Sequence, residues 1–418
     1  LTVRDNLRFG NQYGRFATCR LISGGGLAGL YSPTSPSCII PGVGQATITG
    51  AFGAAAPAIL GALTALDGIN DRGTTNDRYF QNGTNWALFT HNIVHITDKL
   101  DLTLGVRYTN DKKKFSATFG NDNTGCTTVQ GLVGGFTGVP ALAAVTQGLI
   151  GLACQGNSTA ELNGVSIRDK RSEDEWTGTA ILSYKPVDDL LLYASFARGY
   201  KAGGFNLDRS ALKPPLVTFA SVGGAQALVG NLQFDPEKVD SYELGAKYST
   251  GPFSLGVSLF RSDFRNFQLN TFNGTVFLVQ NINGCKADLG GADRDTSATT
   301  GACAQDNVSW GVRAEGVEIE ASLVPARNFR MAAGLTYSNT SYRNNLVGTR
   351  LGTPLDPALR KLPGDNLSNA PELVATGSVT WTPELGSSGL TGLVYIDGRM
   401  TSDYNTGSDL FPQKEQDG

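Results

Sequence analysis

The stretch DLLLYASFARGYKAGGFN, residues 189–206, decides which fold to expect. An apolar run comes first, and Arg198, Tyr200 and Lys201 follow it. A pair of glycines then allows the backbone to turn into a loop. In a strand that crosses a membrane, tyrosine lies at the interface with water and cations lie just beyond it. This order therefore predicts a membrane-crossing strand whose outer end leads into a surface loop.

Other segments alternate strictly between apolar and polar residues. The alternation is clear in DLTLGVRYT (101–109), VDSYELGAKY (239–248) and EGVEIEASL (315–323). A period of two over eight or more residues is typical of strands with one apolar and one polar face. The three segments therefore predict strands of a sheet whose two faces contact different media.

Short and long connections alternate between the predicted strands. The short ones lie near residue 98 and at 185–189, 249–252, 325–328 and 383–389. The long ones, rich in Gly, Asn, Ser and Thr, lie near 21–83, 116–172, 202–236, 270–309 and 341–370. Loops this long are uncommon in compact soluble domains, whereas outer-membrane barrels combine tight periplasmic turns with long extracellular loops. The pattern predicts an all-β fold, an antiparallel transmembrane β-barrel with long extracellular loops.

The number of strands indicates an incomplete barrel. About eleven strands are predicted, and NTGSDLFPQKEQDG (405–418) has the composition of another long loop. Single-chain bacterial barrels have an even number of strands, and lipid does not tolerate an open sheet edge. We therefore expect the natural start to lie upstream and further strands to lie downstream of this sequence.

Composition argues against several other classes of protein. The net charge of −3 and the lack of a basic stripe give no reason to expect nucleic acid. Residues 51–66 and 133–153 are apolar but are broken by Pro and Gly, so we expect loop helices there and not membrane spans. No nucleophile elbow, Walker loop or HExxH motif is present. The sequence predicts no enzyme activity and no cofactor.

The six cysteines form three local pairs, and each pair brackets a Gly/Ser/Thr-rich segment. No pair has the close CxxC spacing of a zinc or redox site. Disulfides that staple loops form in oxidising compartments. We therefore expect three disulfides, with the connectivity inferred from proximity among fifteen possible pairings. They are Cys19–Cys38, Cys126–Cys154 and Cys285–Cys303.

Five segments together resemble the barrel of TonB-dependent outer-membrane receptors. In chain order they are WALFTHNIVHITDKLDLTLGVRYTND (86–111), FARGYKAGGFN (196–206), FDPEKVDSYELGAKY (234–248), RAEGVEIEASLVP (313–325) and NAPELVATGSVTWTP (369–383). The resemblance covers about residues 84–402. It implies a twenty-two-stranded barrel, a plug domain in its lumen, and uptake driven by the TonB complex of the inner membrane.

The resemblance also sets expectations for domains, location and partners. Residues 1–418 would be a partial barrel domain, about half of the strands, with the plug domain and the C-terminal strands absent. The location would be the outer membrane of a Gram-negative bacterium. The partners would be outer-membrane lipid, the TonB complex through the missing N-terminal part, and a small-molecule ligand such as a ferric siderophore.

Candidate ligand-binding residues cluster at the outer end of the strand quoted first. They are Arg198, Tyr200, Lys201, Phe205, Asn206 and Arg265. The cations would receive an anionic ligand such as a siderophore–iron complex. The alternative is that they are structural and pair with carboxylates such as Glu243 or Glu318, because most surface charges are structural. Tyr200 equally fits an interfacial aromatic girdle.

Two groups of metal-binding residue types are interpreted as structural. His91 and His95 have the i, i+4 spacing of a helical zinc site, but in a strand they lie about 13 Å apart. Asp288, Asp293 and Asp295 do not have the spacing of an EF-hand loop, so we expect solvated loop acids. The sequence predicts no metal site.

The most favoured function is TonB-dependent active uptake of a scarce nutrient, with a ferric siderophore as the leading substrate class. Two alternatives remain open from the residues alone. One is a passive porin-like channel, and the other is a β-rich surface adhesin or binding protein whose strands bury their apolar faces in a soluble core.

Overall fold

The computed structural model describes most of the chain. The described residues are 2–5, 19, 22–23, 28–67, 77–120, 125–153, 165–208, 212, 225–272, 277–294, 301–356, 359–387, 389–408, 410 and 412–418. The structural features given below belong to these residues. The chain divides into two compact units, one of residues 1–84, 112–172 and 205–233 and the other of residues 85–111, 173–204 and 234–418.

Nineteen strands are present among the described residues. In chain order they are β1 Thr2–Asp5, β2 Asp77–Thr97, β3 Leu100–Thr118, β4 Ser166–Val187, β5 Leu190–Lys201, β6 Gly204–Phe205, β7 Gln233–Phe234, β8 Glu237–Ser249, β9 Phe253–Arg265, β10 Phe267–Phe272, β11 Phe277–Cys285, β12 Val308–Ser309, β13 Val312–Ala326, β14 Phe329–Tyr342, β15 Leu346–Val347, β16 Leu373–Trp381, β17 Val394–Thr401, β18 Tyr404–Asn405 and β19 Glu415–Gln416.

Eleven of these strands form one main sheet. Its order is β1-β2-β3-β4-β5-β8-β9-β13-β14-β16-β17, and each pair whose register is described is antiparallel. The predicted all-β antiparallel architecture is thus confirmed. Within the described residues the sheet is open, as expected of an incomplete barrel.

Tight turns join the strands in hairpins where the sequence predicts them. β2 and β3 are separated by two residues, and so are β4 and β5 as well as β13 and β14. Short turns fix the register of a hairpin because its strands pair from the turn outward. Between the hairpins the chain makes its long excursions, which hold the helices and the minor strands.

The main sheet has two chemically different faces. On one face of β8, Leu244 is 57% exposed and its neighbours Tyr242 and Tyr248 are also exposed. The alternate residues of β8 include Glu243 and Lys247. Large apolar side chains left unpacked on a regular sheet face need an apolar medium, because exposure to water would cost about 25 cal/mol per Å². The apolar face therefore meets lipid, and the polar face lines the barrel interior.

Among the described residues, four α-helices with complete bounds lie in two of the long excursions. They are α1 Val43–Phe52, α2 Ala56–Asp67, α3 Gly125–Val133 and α4 Pro140–Ala153. Their apolar side chains share one buried cluster that includes Ile59, Leu63, Val129 and Leu149. The loop helices expected in 51–66 and 133–153 are thus present, and they form a core of their own.

One helical stretch in the described part of the chain, Val43–Asp67, is long and apolar enough to cross a membrane by length and composition, with mean hydropathy 1.5. A single such stretch is weak evidence for a span. Gly53 interrupts it with φ of 50°, a left-handed conformation that ends α1. The stretch contributes its apolar residues to the buried helical cluster, so it is a loop element.

A second buried cluster in the same unit contains aromatic residues from the strand ends. Tyr79, Phe115, Phe119 and Phe205 are its largest members. Phe115 and Phe205 stack with ring centroids 4.7 Å apart and an interplanar angle of 9°. This packing fixes the start of the loop that follows β5.

Two of the three predicted disulfides are confirmed. Cys19 pairs with Cys38, and Cys285 pairs with Cys303. Cys126 is disulfide-bonded, whereas its predicted partner Cys154 lies outside the described residues. Cys126 belongs to the buried helical cluster and Cys38 is fully buried, whereas Cys285 ends β11, so the bridges hold segments of the long excursions.

Candidate functional site

The outer ends of β5, β8 and β9 hold Arg198 and Arg265 against a shared carboxylate. Arg198 donates from Nε to Asp240 Oδ1 at 2.6 Å and from Nη2 to Oδ2 at 3.0 Å. Arg265 Nη2 lies 3.2 Å from the same Oδ2 atom. The Asp240 side chain is 9% exposed, while both arginines are about half exposed. We call this group the first clamp.

A second group repeats this arrangement one strand further along the sheet. Arg313 donates from Nε to Asp263 Oδ1 at 2.7 Å and from Nη2 to Oδ2 at 3.3 Å. Arg261 Nη2 donates to Asp263 Oδ2 at 3.3 Å. The Asp263 side chain is 13% exposed. We call this group the second clamp.

The strand register brings the two clamps together. Arg198 is opposite Asp240, Asp240 is opposite Asp263, and Asp263 is opposite Arg313. Two carboxylates facing each other across a strand pair repel. The four guanidinium groups offset that repulsion, and Arg198 and Arg313 add bidentate charge-assisted hydrogen bonds, which are about twice as strong as neutral ones. Each aspartate is therefore held chiefly by its own bidentate arginine.

Trp310 and Arg343 complete the second clamp. The guanidinium of Arg313 lies 3.9 Å from the centre of the Trp310 ring, and that of Arg343 lies 4.6 Å from it. Cation–π contacts of this kind contribute about 0.5–2 kcal/mol. Burial lowers the pKa of Arg343, which lies in the loop after β14, and the neighbouring Arg313 lowers it further. An arginine stays cationic under these conditions.

Tyr200 and Lys201, also candidates from the sequence, end β5. Tyr200 is half-buried, bonds to Thr109, and stands opposite Lys238 in the ladder. Lys238 Nζ forms an ion pair with Glu175 at 2.7 Å. Lys201 is exposed. Of the two, Lys201 is the side chain accessible from water.

Phe205 and Asn206 lie inside the protein and not on an accessible surface. Phe205 is 5% exposed within its aromatic cluster. Asn206 is buried, and its backbone N–H donates to the carbonyl of Leu232 at 2.6 Å. The chain after β5 turns back to pair β6 with β7, which carries both residues into the core. The structure thus buries these two candidates within their own compact unit.

Side-chain amides fasten the β10–β11 hairpin beside Lys201. Asn281 Nδ2 donates to the carbonyls of Asp235 and Asn266 at 3.0 and 2.9 Å. Gln268 Nε2 donates to the carbonyls of Ala202 and Asp235, both at 3.0 Å. These bonds satisfy backbone carbonyls in the segments between the strands. The hairpin is therefore held against the ends of β5 and β8.

The polar face of the sheet carries its own charged groups. The hydroxyl of Tyr193 donates to the carboxylate of Glu243, and Lys247 Nζ lies 5.8 Å from the centre of the Tyr193 ring. Gly245, opposite Tyr193, provides the space that this ring occupies. Glu243 thus partners a tyrosine, whereas the arginines partner Asp240 and Asp263. The alternative that the cations are structural and pair with carboxylates therefore holds for Arg198 and Arg265. Their partner is Asp240, and not Glu243 or Glu318, which the sequence suggested as examples.

A concave cleft of ≈ 770 Å³ lies on the polar face. Its charged and phenolic lining residues are Lys247, Tyr248, Glu320, Tyr395, Asp397 and Arg399. Serine, glycine, threonine and alanine residues and Leu255 line the rest. Because these residues carry both positive and negative charges, the cleft is consistent with a water-filled barrel interior.

The histidine pair lies on β2, as expected of a strand, and His95 Nδ1 is 2.5 Å from Asp101 Oδ1. Asp288 is exposed and accepts from Gly290 N at 2.9 Å. The expectation of a solvated acid is wrong for Asp293, which is 1% exposed and accepts from Leu346 N at 2.8 Å. Asp295 lies outside the described residues. In the part of the chain that the structure describes, no three acidic, His or Cys residues group as metal ligands.

A two-faced antiparallel sheet with tight turns and long excursions defines the wall of an outer-membrane β-barrel. The sequence profile of one family, described as TonB dependent receptor-like, beta-barrel, matches residues 5–418. The chain therefore belongs to this family. Its members are receptors and transporters of the Gram-negative outer membrane, so the chain is an outer-membrane protein and not an enzyme.

Two further comparisons find proteins to which the chain is similar. A pesticin receptor of Yersinia enterocolitica serotype O:8 / biotype 1B is 29% identical over 124 residues, which are 30% of this chain and 16% of the relative. The crystal structure of the ferric yersiniabactin uptake receptor from Yersinia pestis superimposes with a TM-score of 0.51 at 17% identity, over 82% of this chain and 38% of that one. The siderophore receptor of Acinetobacter baumannii gives 0.44 at 17%, over 79% and 34%. The chain thus spans well under half of these proteins.

Proposed function

We propose that the complete receptor takes up a scarce nutrient by TonB-driven transport, and that the nutrient is a ferric siderophore. The family match over residues 5–418 carries the proposal. The names of the similar proteins, a pesticin receptor and a ferric yersiniabactin uptake receptor, support the substrate class. Residues 1–418 supply part of the barrel in this proposal, and the plug domain and the TonB-contacting segment belong to other parts of the receptor.

The two sheet faces suit this role. The apolar face keeps the barrel in lipid, while the polar face lines a passage for a hydrated ligand. No bond of the ligand has to form or break, because transport is binding followed by a conformational change. Lys201, exposed where β5 meets its loop, is the described candidate best placed for a first contact with an anionic ligand.

Uptake of radiolabelled iron tests the proposal. The full-length gene is expressed in an iron-starved Gram-negative host that lacks its own siderophore receptors, and a panel of ferric siderophores is supplied. We expect accumulation of one siderophore class, abolished by a protonophore or by deletion of the host TonB complex.

Two results would overturn the proposal. Uptake that survives collapse of the proton gradient would indicate a passive porin-like channel. Recovery of the complete protein in a detergent-free soluble fraction would indicate an adhesin or binding protein. Failure of every siderophore, with TonB-dependent uptake of another nutrient, would overturn the substrate class alone.

A further inference from the structure

The two clamps lie on the apolar face of the sheet, where transport through the lumen does not use them. Arg198 is two residues from Phe196 and Asp240 is two residues from Tyr242, so the clamp shares a strand face with both rings. The rings of Phe196 and Tyr242 contact each other at 5.2 Å between centroids. Tyr242 is exposed on the face that meets lipid. The clamps thus follow the aromatic pair on the side of the long loops.

Burial within the clamps is divided by charge. The two carboxylates are 9% and 13% exposed and Arg313 is 19% exposed, whereas Arg198, Arg261 and Arg265 are 48%, 47% and 50% exposed. The acids therefore lie beneath these three outward cations and hold them in place. A guanidinium has five N–H donors, and Arg261 and Arg265 each direct one nitrogen to a carboxylate. Donors remain available on the outward cations.

The charge balance of this patch is positive. Four arginines and two aspartates leave a net charge of +2. Nearby, Glu315 stands opposite Arg261 in the ladder, and Arg343 contacts Trp310 beside the second clamp. These two further charges cancel each other. Lys238 is already paired with Glu175. The patch as a whole therefore presents about two uncompensated positive charges to the surrounding membrane surface.

We propose that the paired clamps form a binding site for the phosphate group of an anionic outer-leaflet lipid. Guanidinium groups bind phosphate through two parallel N–H···O bonds, and an acyl chain below the phosphate would lie along the exposed apolar residues of β8 and β9. A site on the lipid-facing surface meets lipid headgroups, whereas a transported anion meets the lumen. This inference depends on the outer-membrane location and not on the transport proposal.

Arginine at this depth is tolerated on a barrel surface. A cation at the bilayer midplane costs about 2–4 kcal/mol, but near the interface the cost falls to about 0–1 kcal/mol. The buried aspartates reduce it further because each guanidinium keeps a paired charge. Four arginines within four neighbouring strands, β5 to β13, are consistent with the headgroup layer, and a phosphate there provides the remaining counter-charge.

The test measures binding of phosphatidic acid to the complete receptor in nonionic detergent by native mass spectrometry. The test variant combines Arg261→Gln with Arg265→Gln. It removes both net charges but leaves each aspartate with its bidentate arginine, so the barrel is expected to fold. We expect affinity for phosphatidic acid to fall about tenfold or more, which corresponds to one lost charge-assisted bond.

A matched control combines Arg327→Gln with Arg330→Gln, two exposed arginines at the short turn between β13 and β14. It removes the same charge at the other end of the strands and is expected to leave the affinity within about twofold. Equal affinity of the clamp variant and the wild-type receptor would overturn the proposal.

Two probes on the wild-type receptor keep the proposal testable if the variant does not fold. Diacylglycerol with the same acyl chains as the phosphatidic acid should not bind, because it lacks the phosphate. Inorganic phosphate should not compete at millimolar concentration, because the acyl chains contribute to binding. Binding of diacylglycerol, or displacement by inorganic phosphate alone, would contradict a lipid-phosphate site.

Discussion

The helical cluster and strand β8 use the same residue type in opposite ways. Leu63 on α2 is 1% exposed among other apolar side chains, whereas Leu244 on β8 is 57% exposed on a regular sheet face. The helices satisfy the hydrophobic effect internally, as a soluble domain does. The apolar side chains of the sheet are instead removed from water by contact with lipid. Burial in the folded chain therefore separates residues that build a protein core from residues that anchor it in a membrane.

The largest expected effect is a loss of stability in the buried helical cluster. Leu63→Ala should destabilise the helical cluster by about 3 kcal/mol, because the cavity left in a packed core adds to the lost transfer energy. Amide hydrogen exchange of residues 56–67 in the intact receptor measures it as a loss of protection of about two orders of magnitude.

Leu132 on α3 offers a matched control in the same cluster region. It is 37% exposed, so Leu132→Ala should change protection by less than about 1 kcal/mol. Equal losses for the two variants would mean that the helices do not form a packed core.

Much of this comparison could be predicted from the sequence. The period of two identifies the faces of β3, β8 and β13, because alternation within a strand is local. The Pro and Gly breaks in 51–66 and 133–153 indicate loop helices and not spans. Local spacing also finds the Cys19–Cys38 and Cys285–Cys303 bridges. Each of these depends on residues close together in the chain.

The clamps could be predicted only in part, because they depend on register between strands. Arg198 and Arg265 stood out as cations near loops, but their partner Asp240 did not. Arg313 reaches Asp263 across fifty positions, and a one-residue slip would place it on the other face. The sequence did contain one signal for the clamps: an Arg or an Asp recurs near the long-loop end of each of four neighbouring strands.

Phe205 shows a different reason for failure. The sequence placed it among the ligand-binding candidates at the base of the loop after β5. The pairing of β6 with β7 and the stack on Phe115 instead bury it. Tertiary packing of a long loop is not encoded in a local pattern, so loop residues are the part of the candidate site that sequence alone locates least well.

The second prediction tests which face of the main sheet contacts lipid. Leu244→Arg places a charge on the lipid-facing surface and should cost about 2–3 kcal/mol of folding free energy in lipid vesicles. Gly256→Arg is the control on the polar face, where a new Cβ has open space and Lys247 and Glu320 lie on the neighbouring strands. We expect the control to change stability by less than about 1 kcal/mol.

Urea titration of the complete receptor in vesicles measures both variants, with heat-modified gel mobility to confirm a folded barrel. A cost that is the same for the two faces would contradict the assignment of lipid and lumen. A larger cost for Gly256→Arg would reverse it.

The smallest expected effect concerns the polar face alone. Gly245→Ala places a methyl group where the Tyr193 ring lies, so the ring must move and its hydrogen bond to Glu243 is lost. Overpacking of this kind costs about 1–2 kcal/mol. Gly256→Ala on β9 is the control on the same polar face, because a Cβ there meets no atom within 4 Å, and it should be neutral. The same urea titration reads both variants, and tyrosine fluorescence reports the ring. If Gly245→Ala is as neutral as Gly256→Ala, the Tyr193 ring does not depend on that glycine. The polar face would then be held by its backbone ladder, with its side-chain contacts contributing little.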